Sequence, residues 1–93
     1  MAKNKFEISR DVTIVNDLGL HARSAAKISE IARDATAHLW LQRDDERVDA
    51  RSIMDILTLA CEKGSTLSIV IDDPSDMGTL NRIVKLVQDG FGE

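Results

Sequence analysis

The stretch that decides the fold is residues 16–28, which read NDLGLHARSAAKI. It passes from a polar, glycine-containing loop into a segment with regular spacing of small apolar residues. These residues recur at helical intervals: Ala25, Ile28, Ala32 and Ala35. The pattern predicts an amphipathic helix that begins at Ala22, with small residues that let it lie close to a sheet. His21 therefore stands where the loop becomes a helix.

Outward from this stretch, the chain alternates apolar and polar side chains in four places. Residues 6–15 alternate before the helix, and residues 37–43 alternate after it. A short third alternation lies around Val48 and Ala50, and a fourth covers residues 67–71. Alternation with β-branched residues is typical of strands that bury one face.

Two further helices are predicted from their end signals. Ser52 is the expected N-cap of a short second helix, with Asp55 as an imperfect capping-box partner and Gly64 as its end. An apolar stripe that starts at Met77 predicts the third helix, which Gly90 ends. The order β-α-β-β-α-β-α predicts an α+β fold, with a four-stranded, mainly antiparallel sheet covered on one face by helices. We expect a single domain over residues 1–93.

Composition excludes several classes of function. The net charge of −4 argues against nucleic acid as a partner. A single cysteine, Cys61, excludes an internal disulfide, and two scattered histidines give no metal-ligand spacing. No apolar run is long enough for membrane insertion, and the charged N-terminus does not resemble a signal peptide. We expect a cytoplasmic monomer without metal or cofactor.

His21 and Arg23 are the candidate chemical groups. A helix N-terminus presents unpaired backbone N–H groups and the positive end of the helix dipole, which together attract phosphate. Arg23 adds a permanent cation that can bind phosphate oxygens, and an imidazole can act as a nucleophile. On these arguments alone, a capping or surface histidine remains an equal alternative.

Two motifs resemble those of the HPr family, the histidine-containing phosphocarrier proteins of the phosphoenolpyruvate-dependent phosphotransferase system. The first is the run from Gly19 to Arg23 followed by Ala25 and Ala26, and it resembles the active-site motif. The second is Arg51-Ser52-Ile53-Met54 followed by Ile56 and Leu57. Their separation and the element order also match the family, whose fold is an open-faced β-sandwich.

The resemblance implies a role for particular residues. His21 would accept a phosphoryl group from enzyme I on its δ nitrogen and donate it to an enzyme IIA component, with Arg23 assisting the transfer. Phosphate-binding groups would come from Ala22, Arg23 and Ser24. Ser52 would be the serine that HPr kinase/phosphorylase modifies in some bacteria. The partner-docking residues would be Leu20, Ile53 and Met54.

One departure and one alternative function remain. Ser24 stands where many family members have proline, which leaves open whether the chain resembles the sugar-type or the nitrogen-type branch. The alternative function is an HPr-like regulatory adaptor controlled by phosphorylation at Ser52. The phosphocarrier hypothesis is favoured because this chain retains His21. Such a carrier is not an enzyme by itself, since every transfer needs a partner's active site.

Overall fold

The computed structural model describes residues 7–93 and contains four strands and three α-helices in that range. The strands are β1 (Ile8–Thr13), β2 (Leu39–Arg43), β3 (Glu46–Asp49) and β4 (Thr66–Ile71). The helices are α1 (Ala22–Ala32), α2 (Ile53–Thr58) and α3 (Met77–Gln88). Two short 3₁₀ turns, Pro74–Asp76 and Gly90–Gly92, flank α3. Phe6, the first residue of the first predicted strand, lies outside the described residues.

The strands form one sheet in the order β1-β4-β2-β3, and every neighbouring pair is antiparallel. In the register of the sheet, Leu67 of β4 lies opposite Val12, and Ile69 lies opposite Leu41. These side chains are buried against the helices, because alternate residues of a strand point to one face. The helices contribute Ile28, Ile56 and Ile83 to the same core. The predicted open-faced β-sandwich is therefore confirmed.

The face of the sheet opposite the helices carries the single tryptophan of the chain. The rings of His38 and Trp40 stack there with centroids 4.9 Å apart, and the Arg47 guanidinium lies 6.0 Å from the Trp40 ring. The indole N–H points at a carboxylate oxygen of Asp72, 3.4 Å away. His38, just before β2, is exposed, as the alternation of residues 37–43 predicts.

The structure corrects the boundaries of four predicted elements. The first strand ends at Thr13, two residues before the predicted end at Val15. The second helix ends at Thr58 and not at Gly64, because Ala60 adopts a positive φ of 52° that α-helical geometry does not allow. The second strand begins at Leu39, two residues later than predicted, since the backbone N–H of Ala37 donates to the Asp76 carboxylate. The third strand ends at Asp49, one residue before the predicted Ala50.

No helix within residues 7–93 is long and apolar enough to cross a bilayer; the longest, α3, has 12 residues. Among the same residues, no group of three or more His, Cys, Asp or Glu side chains is placed to hold a metal ion.

Candidate phosphoryl-acceptor site

His21 is the N-cap of α1. Its backbone is extended, with φ −127° and ψ −177°, and its carbonyl accepts the first helical hydrogen bond from the N–H of Ala25 at 2.9 Å. The ring atom Nδ1 accepts a hydrogen bond from the backbone N–H of Arg23 at 3.2 Å. The imidazole therefore turns Nδ1 toward the positive end of the helix dipole.

Ser24 completes a capping box with His21. Its hydroxyl oxygen accepts a hydrogen bond from the His21 N–H at 2.9 Å and lies 3.2 Å from both the Gly19 and the His21 carbonyl oxygens. The side chain is fully buried. The hydroxyl is therefore engaged by the backbone at the helix start. No standard sequence signal predicts this pairing, since histidine is not among the preferred capping residues.

Gly19 brings the loop before His21 close to the segment that follows α2. Its φ is +67°, and a Cβ at this position would lie only 2.5 Å from the carbonyl oxygen of Cys61. The neighbouring N–H of Leu20 donates to that same oxygen at 2.9 Å. A side chain at position 19 would break this contact, so glycine is required for sterics as well as for φ.

Glu93 lies on the other side of the His21 ring. Its Oε2 is 2.5 Å from Nε2 of His21, and its Oε1 accepts a hydrogen bond from the Asn16 side-chain amide at 3.0 Å. Asn16 is buried and also donates to the Gly19 carbonyl at 2.9 Å. The hydrogen bond from Asn16, and then that from His21, holds the pKa of the Glu93 carboxyl below its usual value. Neither residue stands out in the sequence, because they lie 5 and 72 positions from His21.

Arg23 is exposed and borders a shallow depression at the start of α1. Leu18, His21, Ala22 and Glu93 form the rest of its lining. Within residues 7–93, no carboxylate forms an ion pair with the Arg23 guanidinium. The depression thus combines an exposed cation, a helix N-terminus and an imidazole nitrogen, which are groups that can bind phosphate.

Ser52 caps α2, as the sequence predicts. Its hydroxyl accepts a hydrogen bond from the N–H of Asp55 at 3.1 Å, and the residue is partly exposed. The start of α2 is tied to α1 by a hydrogen bond of 2.8 Å from the Ser29 hydroxyl to the Arg51 carbonyl. The two sequence motifs therefore belong to helices that are packed together.

The predicted docking residues differ in their exposure. Met54 is 74% exposed, whereas Ile53 is partly buried against the core. Leu20 is only 8% exposed and belongs to the core, so its side chain offers a partner almost no surface. The exposed leucine of this loop is Leu18, at 71%. Sequence reasoning missed it because alternation does not extend through a loop.

Comparisons with known proteins show which family the chain resembles in sequence. Residues 8–89 match the family model described as the PTS HPr component phosphorylation site. The chain is 37% identical over 86 residues to the phosphocarrier protein HPr of Cupriavidus necator, covering 92% of this chain and 97% of the relative. It is 36% identical, also over 86 residues, to the phosphocarrier protein HPr of Treponema pallidum, covering 92% and 98%.

Comparison with solved structures shows the same similarity to HPr proteins. A crystal structure of HPr-C-His from Thermoanaerobacter tengcongensis is similar to this chain with a TM-score of 0.83 and 30% sequence identity. The similarity covers 92% of this chain and 97% of that one. A match over most of the chain in sequence and in fold leaves one conclusion: the protein belongs to the HPr family of phosphocarrier proteins of the phosphotransferase system.

Proposed function

We propose that this chain accepts a phosphoryl group from enzyme I on Nδ1 of His21 and donates it to an enzyme IIA component. The observation that carries the proposal is the different environment of the two ring nitrogens. Nδ1 faces the backbone N–H of Arg23 at the start of α1, whereas Nε2 contacts the Glu93 carboxylate. A phosphoryl group on Nδ1 would lie at the helix N-terminus, and one on Nε2 would lie against a negative charge.

The transfer itself needs no cofactor from this chain. The lone pair of Nδ1 forms the new N–P bond while the bond between phosphorus and the donor breaks, and that electron pair leaves with the donor. Nδ1 can then no longer accept the Arg23 N–H, which is free to donate to a phosphoryl oxygen together with the N–H groups of Ala22 and Ser24. The hydroxyl of Ser24 continues to cap the helix through the His21 N–H, so the helix start persists in both states.

Arg23 supports the transfer by charge. Its guanidinium is exposed at the same depression and can form bidentate bonds with phosphoryl oxygens. In docking, we propose that Met54 and Ile53 contact the partner beside the site. Met54 is exposed and flexible enough to adapt to more than one partner surface.

The test is phosphorylation with enzyme I, magnesium and phosphoenolpyruvate, followed by mass spectrometry. We expect one acid-labile phosphoryl group on the wild-type protein and none on His21→Ala. The chain has one other histidine, so His38→Ala is the matched control and should be phosphorylated like the wild type. An adduct that remains on His21→Ala, or no adduct on the wild type, would refute the proposal.

A regulatory role for Ser52 is a second proposal, with HPr kinase/phosphorylase as the partner. It rests on the partly exposed hydroxyl at the start of α2, two residues from the exposed side chain of Met54. A phosphate there would meet the positive end of a helix dipole, and it would add a dianion to the proposed docking surface. Incubation with the kinase and ATP should therefore modify the wild type and leave Ser52→Ala unmodified; labelling of Ser52→Ala would refute the assignment.

A further inference from the structure

The sulfur-containing side chains of this chain differ in their access to solvent. The sequence has three methionines and one cysteine, and Met1 lies outside the described residues. Cys61 is buried at 3% exposure, and Met77 is partly buried against the core. Met54, at the start of α2, is 74% exposed. Within residues 7–93, Met54 is therefore the sulfur that a reagent in solution reaches most easily.

Burial also makes the Cys61 thiol a poor competitor for oxidants. Burial raises the pKa of this thiol above its usual value, and it outweighs the neighbouring Arg43 guanidinium, which lowers the pKa. The thiolate is the reactive form of cysteine, so a buried thiol with a raised pKa stays protonated at neutral pH and reacts slowly. A thioether sulfur carries a free lone pair whatever the pH. We therefore expect oxidation to begin at Met54.

Met54 lies on the proposed docking surface and outside the core. Its neighbours Ile53 and Leu57 pack against the core, which leaves Met54 as the exposed apolar side chain of α2. The hydrogen bond of 2.8 Å from the Ser29 hydroxyl to the Arg51 carbonyl holds the start of α2 beside α1. A chemical change confined to the Met54 side chain will therefore alter the surface that a partner meets and leave the two helices in place.

We propose that Met54 is a site of reversible oxidation by peroxides, and that its sulfoxide weakens docking to enzyme I. The inference rests on the proposed function and adds a regulation of the same site. The sulfur lone pair forms a bond to one peroxide oxygen while the O–O bond breaks, so sulfur loses two electrons to the peroxide. The proton of the transferred hydroxyl moves to the departing hydroxide, which leaves as water. A methionine sulfoxide reductase reverses the change with two thiols, which become a disulfide as the oxygen leaves as water.

The sulfoxide changes the physical character of the docking surface. The thioether of methionine is apolar, unbranched and polarizable, and it adapts to the shape of a partner. The sulfoxide oxygen is polar and must lose its water on docking, which costs free energy wherever the partner offers no donor. Met54 does not line the depression beside His21. Oxidation should therefore raise the KM for transfer from enzyme I and leave kcat unchanged.

Two measurements test the proposal. The first is peptide mass spectrometry after graded treatment with hydrogen peroxide, which needs no partner protein. We expect the sulfoxide at Met54 at peroxide doses that leave Met77 and Cys61 unmodified. The second is the kinetics of phosphoryl transfer from enzyme I after catalase has removed the peroxide. The KM of the oxidised protein should be about tenfold higher at unchanged kcat, and treatment with sulfoxide reductases should restore it.

Each variant is compared with its own untreated sample, so that an effect of the substitution itself on docking cancels. Met54→Leu has no sulfur at this position, and peroxide should leave its KM unchanged. Met77→Leu is the matched control, because it removes the partly buried methionine and should respond to peroxide like the wild type. Met54→Gln places a permanent polar group on the docking surface and should show a raised KM without peroxide.

Three results would overturn the proposal: oxidation of Met77 before Met54, an unchanged KM for the oxidised wild type, or an equal peroxide response in Met54→Leu. The melting temperature of the oxidised wild type should match that of the untreated protein, because Met54 lies outside the core. A lower melting temperature would trace the slower transfer to lost structure and overturn the docking explanation. Failure of the untreated wild type to accept phosphate refutes the proposed function, and with it the effect on docking, while selective oxidation of Met54 stands on the mass measurement.

Discussion

Replacing Ser24 by alanine tests whether the capping box holds the helix start that carries His21. The Ser24 hydroxyl is fully buried, accepts from the His21 N–H at 2.9 Å and lies within 3.2 Å of two carbonyl oxygens. Loss of one such hydrogen bond costs about 0.5–1.5 kcal/mol, and an unpaired buried partner raises the cost to about 1–3 kcal/mol. The better helix propensity of alanine returns about 0.5 kcal/mol.

We therefore expect Ser24→Ala to be less stable by about 1–2 kcal/mol. For a domain of this size, each kcal/mol lowers the melting temperature by about 4–8 °C, so the shift should be about 4–16 °C. Circular dichroism melting with a urea titration measures both quantities. Ser9→Ala, on the exposed side of β1, is the matched control and should stay within about 0.5 kcal/mol of the wild type. A melting temperature for Ser24→Ala equal to that of the control would show that the capping box does not stabilise the helix start.

Three further outcomes are expected. Arg23→Ala should slow transfer from enzyme I at least about tenfold, which corresponds to about 1.4 kcal/mol. It should lose little stability, because a cation opposes the dipole at a helix start. A steep fall in melting temperature at an unchanged transfer rate would contradict this. Ser52→Ala should lose about 1 kcal/mol of stability and accept phosphate at almost the wild-type rate. Ser52→Asp should fold normally and accept phosphate much more slowly. Equal phosphorylation rates for the wild type and Ser52→Asp would show that Ser52 serves only as a helix cap. Asp76→Asn should lose about 2–3 kcal/mol at pH 7, since the carboxylate accepts from the Thr36 and Ala37 N–H groups at 2.8 and 3.0 Å.

The pH dependence of the last variant follows from the pKa of Asp76. Burial raises this pKa, but hydrogen bonds from Thr36 and Ala37 outweigh burial and leave it below the usual value. A group with a depressed pKa in the folded state stabilises the protein above its unfolded pKa, and that contribution is lost as the pH falls through the folded pKa. The stability gap between wild type and Asp76→Asn in urea should therefore narrow below about pH 4. A gap that is constant from pH 7 to pH 3 would contradict the assignment.

Local patterns were sufficient to predict the order of the elements. The start of α1, the cap at Ser52 and the apolar stripe of α3 all depend on neighbours within one or two helical turns, so the sequence exposes them directly. The end of α2 was predicted wrongly because it depends on the positive φ of Ala60, and alanine is not a residue type that predicts a positive φ.

The site shows the same division between local and distant contacts. His21 and Arg23 could be placed at a helix start, since both belong to one continuous stretch. The contacts of Glu93 and Lys27 form only when the end of α3 returns to α1, across more than 60 positions of sequence. The distinction between Leu18 and Leu20 also required the structure, because burial within a loop follows no period.

Trp40 makes the open face of the sheet useful in spectroscopy. The chain has one tryptophan and no tyrosine, so near-ultraviolet emission comes almost entirely from one indole. That indole lies opposite Asp49 and Val70 in the ladder, on the face turned away from the helices and therefore from His21. Its fluorescence will report the melting of the sheet while remaining insensitive to chemistry at the start of α1. Unfolding of the phosphorylated and the unphosphorylated protein can thus be compared without an added label, because phosphorylation does not itself alter the signal.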